Sequence, residues 1–274
     1  MQWCLLAIIL MTGAVSPSLA LDRRIETRFT QELKKQITIG EFLELKQNDD
    51  VFLGIYVPAH TPRSRGGIVL VHNLGAHADW PEAIAPLRAE LPKYGWNTLS
   101  IQLPLLPSEP RPADYEALFA DGAERIKIAL DHYNTEGIYN VLIIGQGMGA
   151  TIALDYVANQ KGQANSSVTG FVGLSMHNNS YMAGSIDPSS LLKDIEIPVL
   201  EVYGSLDIDP VIDGVAKRKN IARKLGINNY MQIKLIGADH RYTGIESTLV
   251  KRIRSWIDRY APSIEIDVGS KAQR

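Results

Sequence analysis

Three glycines alternate across the run Val141-Leu-Ile-Ile-Gly145-Gln146-Gly147-Met148-Gly149-Ala150. A buried-looking strand passes through them directly into a segment with helical spacing. This is the layout of a Gly-x-Ser-x-Gly elbow, the strained strand-to-helix turn that projects a nucleophile above a sheet. Gly145 and Gly149 stand at the flanking positions, where strand and helix backbones approach too closely for a Cβ. The nucleophile position itself is Gly147, which has no side chain to attack with. A dinucleotide-binding turn is the rival for such glycines. It requires Gly-x-Gly-x-x-Gly at the first strand and an acidic residue about 20 residues on, whereas this motif lies mid-chain after several strands.

Two further segments fall in the chain order nucleophile, acid, base. Pro198-Val-Leu-Glu-Val-Tyr203 runs into Gly204-Ser205-Leu206-Asp207, offering Asp207 as the acid with Asp209 as its rival. Met231 to Ile236 runs into Gly237-Ala238-Asp239-His240, offering His240 as the general base. Val69-Leu-Val-His72-Asn73-Leu74-Gly75 ends another apolar run in a loop. These segments resemble the α/β-hydrolase superfamily from Gly67 to Tyr260, with Asn73 replacing the first glycine of the usual His-Gly-x-Gly oxyanion loop; the resemblance implies that backbone N–H groups of this loop and of Met148 are the oxyanion donors. Gly95-Trp96 through Leu103-Pro104 also resembles a bacterial group of exported α/β-hydrolase-like proteins, catalogued as a domain of unknown function. That likeness implies that a small residue other than serine at the elbow is common.

The elements that must hold these residues read as alternating strands and helices. GIVLV, NTLSI, NVLII, FVGLS, PVLEVY and MQIKLI are short, nearly uninterrupted apolar runs, as expected of strands buried on both faces. Between them lie helical patterns over Trp80–Tyr94, Asp114–Tyr133, Met148–Asn159, Ile212–Leu225 and Ile245–Tyr260. A polar helix over Asp22–Lys35 and a hairpin, ITIGEFLELKQ then DVFLGIYVP, precede them. The expected fold is a doubly wound, mostly parallel α/β sheet with two antiparallel strands leading in, forming one domain over 21–274. Its functional residues belong on loops at the carboxyl ends of the strands.

Composition limits what such a site can serve. Of 274 residues, 45% are hydrophobic and 21% charged, and 28 Lys plus Arg against 30 Asp plus Glu leave a net charge of −2. No basic footprint for nucleic acid exists. His72, His77 and Asp79 share a loop but lack metal-ligand spacing, so the pattern points to no metal, and it points to no cofactor. The uncharged start, apolar from Trp3 to Val15 and ending Ser18-Leu19-Ala20, reads as a signal peptide cleaved after Ala20. At about 1.5 Å per residue its apolar run falls short of the roughly 30 Å hydrocarbon core, so no stable membrane span is expected. The only cysteine, Cys4, leaves with it, in keeping with a periplasmic or secreted destination.

Without a nucleophile, acyl transfer loses about 10⁶ in kcat. The expectation is therefore a hydrolase-like protein that binds a small molecule, an envelope ligand or a protein partner in a retained cleft. His72, Asn73, Leu74, Met148 and Ser175 are its candidate contacts. The alternative is an ester or amide hydrolase with a relocated nucleophile, Ser175 or Ser205, or with water activated by His240 and Asp207. If the acid and base still face the elbow, Gly147→Ser is expected to complete a triad in one step. Met176–Ser190, at the position of a family lid, is short enough to leave the cleft open.

Overall fold

A computed structural model describes residues 22–162, 166–177, 186–261 and 266–267. The expected leader, Met1 to Ala20, and residues 178–185 of the short lid segment lie outside the described residues. The described residues begin with α1 (Arg23–Gln36), whose first turn is capped by the Asp22 carboxylate accepting from the N–H groups of Arg24 and Ile25. The hairpin β1 (Glu41–Gln47) and β2 (Asp50–Val57) follows, turning at Asn48, whose positive φ of 53° suits a tight two-residue turn. A two-residue strand β3 (Arg63–Ser64) precedes β4 (Gly66–Val71). Then come α2 (Ile84–Glu90), extended by a 3₁₀ turn to Tyr94, and β5 (Trp96–Ile101). The long α3 (Pro112–Thr135) leads to β6 (Val141–Gln146) and α4 (Met148–Asn159). Next among the described residues come β7 (Val168–Leu174), α5 (Pro188–Leu191), β8 (Val199–Leu206), α6 (Asp209–Leu225), β9 (Tyr230–Asp239), α7 (Glu246–Tyr260) and β10 (Ile266–Asp267), which pairs with β3.

Eight strands make one sheet in the order β1-β2-β5-β4-β6-β7-β8-β9. The β1–β2 and β2–β5 pairs are antiparallel and the remaining pairs parallel. The expected sheet, including its antiparallel lead-in, is what forms. Its central strands β4 and β6 are buried at every position and mostly apolar because helices cover both faces. Val69, Val71, Ile143 and Phe171 face Phe119, Ile126, Ile152 and Leu154 of α3 and α4. Ile68, Leu70, Ile144 and Val172 face Ile84 and Leu87 of α2 and Leu249, Ile253 and Trp256 of α7. Successive side chains of a strand alternate between these two cores, so a run such as Ile68-Val-Leu-Val71 has no polar side to spare.

Helix starts differ slightly from the patterned spans. The Trp80–Tyr94 pattern is helical only from Ile84, because the preceding residues form the loop that carries His72 to Asp79. In α6 the helix starts earlier than the Ile212 pattern, at Asp209-Pro210, with proline in the first turn where its missing N–H costs nothing. Among the described residues no helix is long and apolar enough to cross a membrane.

Candidate functional site at the carboxyl edge of the sheet

The elbow is present in the backbone. Gly147 links β6 to α4 at φ 54° and ψ −120°, a conformation in which an L side chain is strained, and its N–H donates to Leu174 O at 2.8 Å. A Cβ at Gly149 would stand 2.1 Å from His72 O, and one at Gly145 would stand 2.5 Å from Ala150 Cα. Both flanking glycines are therefore required by close approach.

The space above Gly147 is filled by Asn73. Its Oδ1 accepts from Leu74 N at 2.8 Å and from Met148 N at 2.9 Å, so the two expected oxyanion donors converge on one oxygen of the chain itself. The opposite orientation of the carboxamide would set an NH₂ group against two N–H donors, so chemistry fixes which atom faces them. A Cβ on Gly147 would lie 2.2 Å from Asn73 Oδ1 and 2.8 Å from Nδ2. A side chain at 147 and the carboxamide in this position exclude one another, so Gly147→Ser would complete a triad only by moving Asn73 aside. The adjoining crevice, bordered by Leu74, Leu103, Pro104, Met148 and Ile152, is too tight to admit a water molecule. A groove of about 380 Å³ lies elsewhere, beside Val157, Lys161 and Glu196.

Acid and base do meet. His240 Nδ1 lies 2.7 Å from Asp207 Oδ1, with the histidine side chain 20% exposed and the carboxylate side chain fully buried. Asp207 Oδ2 accepts from Ser175 Oγ at 2.5 Å and from Gly204 N at 3.1 Å. Burial alone would raise the Asp207 pKa. The hydrogen bonds from His240, Ser175 and Gly204 outweigh it and hold the carboxyl below its ordinary value. Ser175 Oγ also lies 2.8 Å from the buried Tyr242 hydroxyl, which donates to Val202 O at 2.9 Å. Asp209, the rival acid, is exposed in the first turn of α6.

The other candidates separate. Ser175, expected as a contact or a relocated nucleophile, is fully buried and orients Asp207 rather than facing the His240 ring. Ser205 Oγ accepts from Gly237 N at 2.8 Å in the bulge between β8 and β9. His72, expected as a contact, is fully buried at the edge of the crevice beside Asn73. Leu103 N donates to its Nε2 at 2.9 Å, which leaves the proton on Nδ1 to be donated to Asn73 O at 2.7 Å. Burial lowers its pKa to about 3, so the ring stays neutral and holds the loop that carries Asn73. His77 stacks edge-on between Phe29 and Trp80, while Asp79 pairs with Arg88 at 2.7 Å. Sequence reasoning missed Tyr242, Gln102 and Arg218. Nothing local marks them, because their roles depend on partners far along the chain: His72, 30 residues away, for Gln102, Val202 for Tyr242, and Met176 O, 2.8 Å from Arg218 Nη2.

With this geometry in hand, the sequence matches one family over residues 20–121 and 121–259, that of Protein of unknown function (DUF3530). The chain belongs to the DUF3530 family. Among curated proteins, none matches the sequence. Solved structures similar to this DUF3530 chain are α/β-hydrolases. A dienelactone hydrolase from Anabaena variabilis is 17% identical with a TM-score of 0.61, covering 81% of this chain and 98% of its own. Est1E from Butyrivibrio proteoclasticus, solved with ferulic acid bound, is 12% identical with a TM-score of 0.64, covering 80% and 98%. An α/β serine hydrolase homologue from Coxiella burnetii is 14% identical with a TM-score of 0.60, also covering 80% and 98%. At these identities the likeness is one of fold: this DUF3530 chain has an α/β-hydrolase-like fold.

Proposed function

We propose that this DUF3530 chain is a non-hydrolytic member of the α/β-hydrolase fold, which holds a ligand or a protein partner at the carboxyl edge of its sheet without turning it over. One observation carries the reading. The elbow keeps its strained backbone at Gly147, yet the volume a nucleophile would occupy belongs to the Asn73 carboxamide. The His240–Asp207 pair remains, but a base without a nucleophile leaves at most about 10³ to 10⁴ over water from donors and binding. Those donors are already engaged by Asn73. Ser175 is no substitute, because its hydroxyl is committed to Asp207.

The protein acts in the periplasm or outside the cell, after loss of Met1 to Ala20. The uncharged apolar start supports this, as does a family match that begins at residue 20. Incubation with a fluorophosphonate probe and with p-nitrophenyl acetate and butyrate tests the non-hydrolytic reading. Neither labelling nor turnover above buffer is expected. Wild-type turnover abolished by Ser175→Ala or Ser205→Ala, or by His240→Ala alone, would establish a hydrolase instead.

A further inference from the structure

His240 is held through Nδ1, 2.7 Å from Asp207 Oδ1, and that oxygen also accepts from Ile208 N at 3.0 Å. An acceptor there makes Nδ1 the donor, so the neutral ring carries its lone pair on Nε2. In a serine hydrolase that nitrogen takes the proton of the elbow serine. Here position 147 is glycine and offers no hydroxyl. A second imidazole stands beside it: the ring of His177 lies 6.0 Å from that of His240, centroid to centroid, with 43° between their planes. The backbone at His177, just after β7, is fastened at two points. Arg218 Nη2 donates to Met176 O at 2.8 Å, and Thr151 Oγ1 of α4 donates to His177 O at 2.9 Å. Two imidazoles sharing one metal ion at about 2.0–2.1 Å per nitrogen have centroids about 5 Å apart at a tetrahedral angle and at most roughly 6.5 Å apart. The two rings fall inside that reach.

We propose that His177 and His240 form a two-histidine site for a late first-row divalent metal ion such as zinc, with Asp207 orienting His240 from behind. The proposal names a ligand for the non-hydrolytic reading and rests on it, because Nε2 of His240 cannot hold a metal ion and act as a general base at once. A carboxylate on the far nitrogen of a ligating histidine fixes its tautomer and raises its basicity, which is the role the geometry gives Asp207. A ligating histidine keeps its other ring nitrogen for a partner of its own, so His177 can bind with one nitrogen and stay held by the other. Imidazole favours zinc, copper and nickel over magnesium and calcium, which take oxygen ligands. Among the described residues no group of three His, Cys, Asp or Glu side chains converges on one point, so water completes the coordination. The two ligands are 63 positions apart, and no metal-binding spacing marks them in the sequence.

Titration of zinc chloride into the tag-free, chelator-stripped protein, followed by calorimetry and by ¹H–¹⁵N spectra of the imidazoles, tests this. One saturable site is expected, with shifts at Nε2 of His240 and at one ring nitrogen of His177, and none with magnesium chloride. Asp207→Asn, which removes the orienting charge, should weaken zinc binding about 10- to 100-fold. His177→Gln and His240→Gln each remove a ligand and should weaken it further. Both histidines are partly exposed, so the fold, checked by backbone amide spectra, should persist in these variants.

No saturable zinc binding by the wild type would overturn the proposal. So would wild-type affinity in both glutamine variants, or shifts confined to the rings of His60, His77 or His132. Wild-type affinity in Asp207→Asn would overturn the orienting role of its carboxylate. If a variant failed to fold, the ring shifts in the wild type would decide alone. Hydrolysis of p-nitrophenyl acetate by the metal-free protein would overturn only the non-hydrolytic reading, leaving the zinc titration to decide the site.

Discussion

At position 147 the difference between hydrogen and a methylene decides two things together, whether a nucleophile exists and where the Asn73 carboxamide can lie. Gly147→Ser alone is therefore expected to remain inactive. Gly147→Ser with Asn73→Gly, which clears the collision and frees the Leu74 and Met148 donors, should gain p-nitrophenyl butyrate hydrolysis and fluorophosphonate labelling. A rate about 10² to 10³ above wild type is expected, well below a mature enzyme, because a misplacement of about 1 Å costs about 10². Adding His240→Ala should remove the gain, and a single Gly147→Ser variant as active as the double would show that Asn73 yields freely. His72 makes a pH prediction at the same scale. Unfolded, it titrates at its ordinary 6.5, whereas in the fold burial lowers its pKa to about 3. Between those values the unfolded chain holds the extra proton, so stability falls as pH drops through this window, with a slope approaching about 1.4 kcal/mol per pH unit. Urea unfolding of wild type and His72→Gln at pH 7, 6 and 5 should show that slope only with the histidine present.

Elements deliver these side chains through polar contacts beneath the sheet edge. Ser175 directly follows β7 at a positive φ of 46°, an uncommon conformation for a residue with a side chain, and this aims its hydroxyl at Asp207. The next residue, Met176, is held from α6 by Arg218, whose Nη2 donates to its carbonyl. Arg218 in turn pairs with Glu201 of β8, both side chains fully buried, while Gln232 Nε2 of β9 donates to Glu201 Oε2 at 3.0 Å and the Tyr230 hydroxyl bonds the same oxygen. Arg218→Met would leave a buried carboxylate without its cation, for an expected loss of about 3–5 kcal/mol in chemical denaturation. Restoring neutrality with Glu201→Gln in the same chain should recover most of it. Equal stability of the Arg218→Met single variant and wild type would show that the pair does not brace β7 and β8.

For the whole molecule, α1 fastens to the sheet through Arg125 of α3. This buried guanidinium donates to Glu26 of α1, to Gln47 of β1 and to Gln102 O, each at 2.9 Å. Gln102 Nε2 lies 2.9 Å from His72 Nε2, so the first helix and the oxyanion loop share one polar chain. The described structure starts at Asp22, whose N–H donates to Leu105 O, two residues beyond the crevice residue Leu103. Export is the prediction at this scale. Intact mass of protein recovered from a secreting host should correspond to a chain beginning at Leu21. Recovery of a membrane-bound chain that still begins at Met1 would contradict it.

Much of this was legible in the sequence because it is local. Apolar runs of four to seven residues separated by helical spacing specify strands buried on both faces, and Gly145-x-Gly-x-Gly149 specifies a turn too tight for side chains at its flanks. The chain order Gly147, Asp207, His240 was likewise enough to anticipate which acid meets which base, because all three follow strands and strand ends share one edge of a parallel sheet. Through-space occupancy was not legible. Asn73 reads in sequence as one altered residue of a loop, but β4 and β6 are neighbours in the sheet, and this puts its carboxamide over an elbow 74 positions further along the chain. The same separation hid the burial of Ser175 against Tyr242 and of His72 against Leu103. Side-chain type and spacing determined where the site lies. Only packing between distant strand ends decided that its oxyanion donors are already occupied.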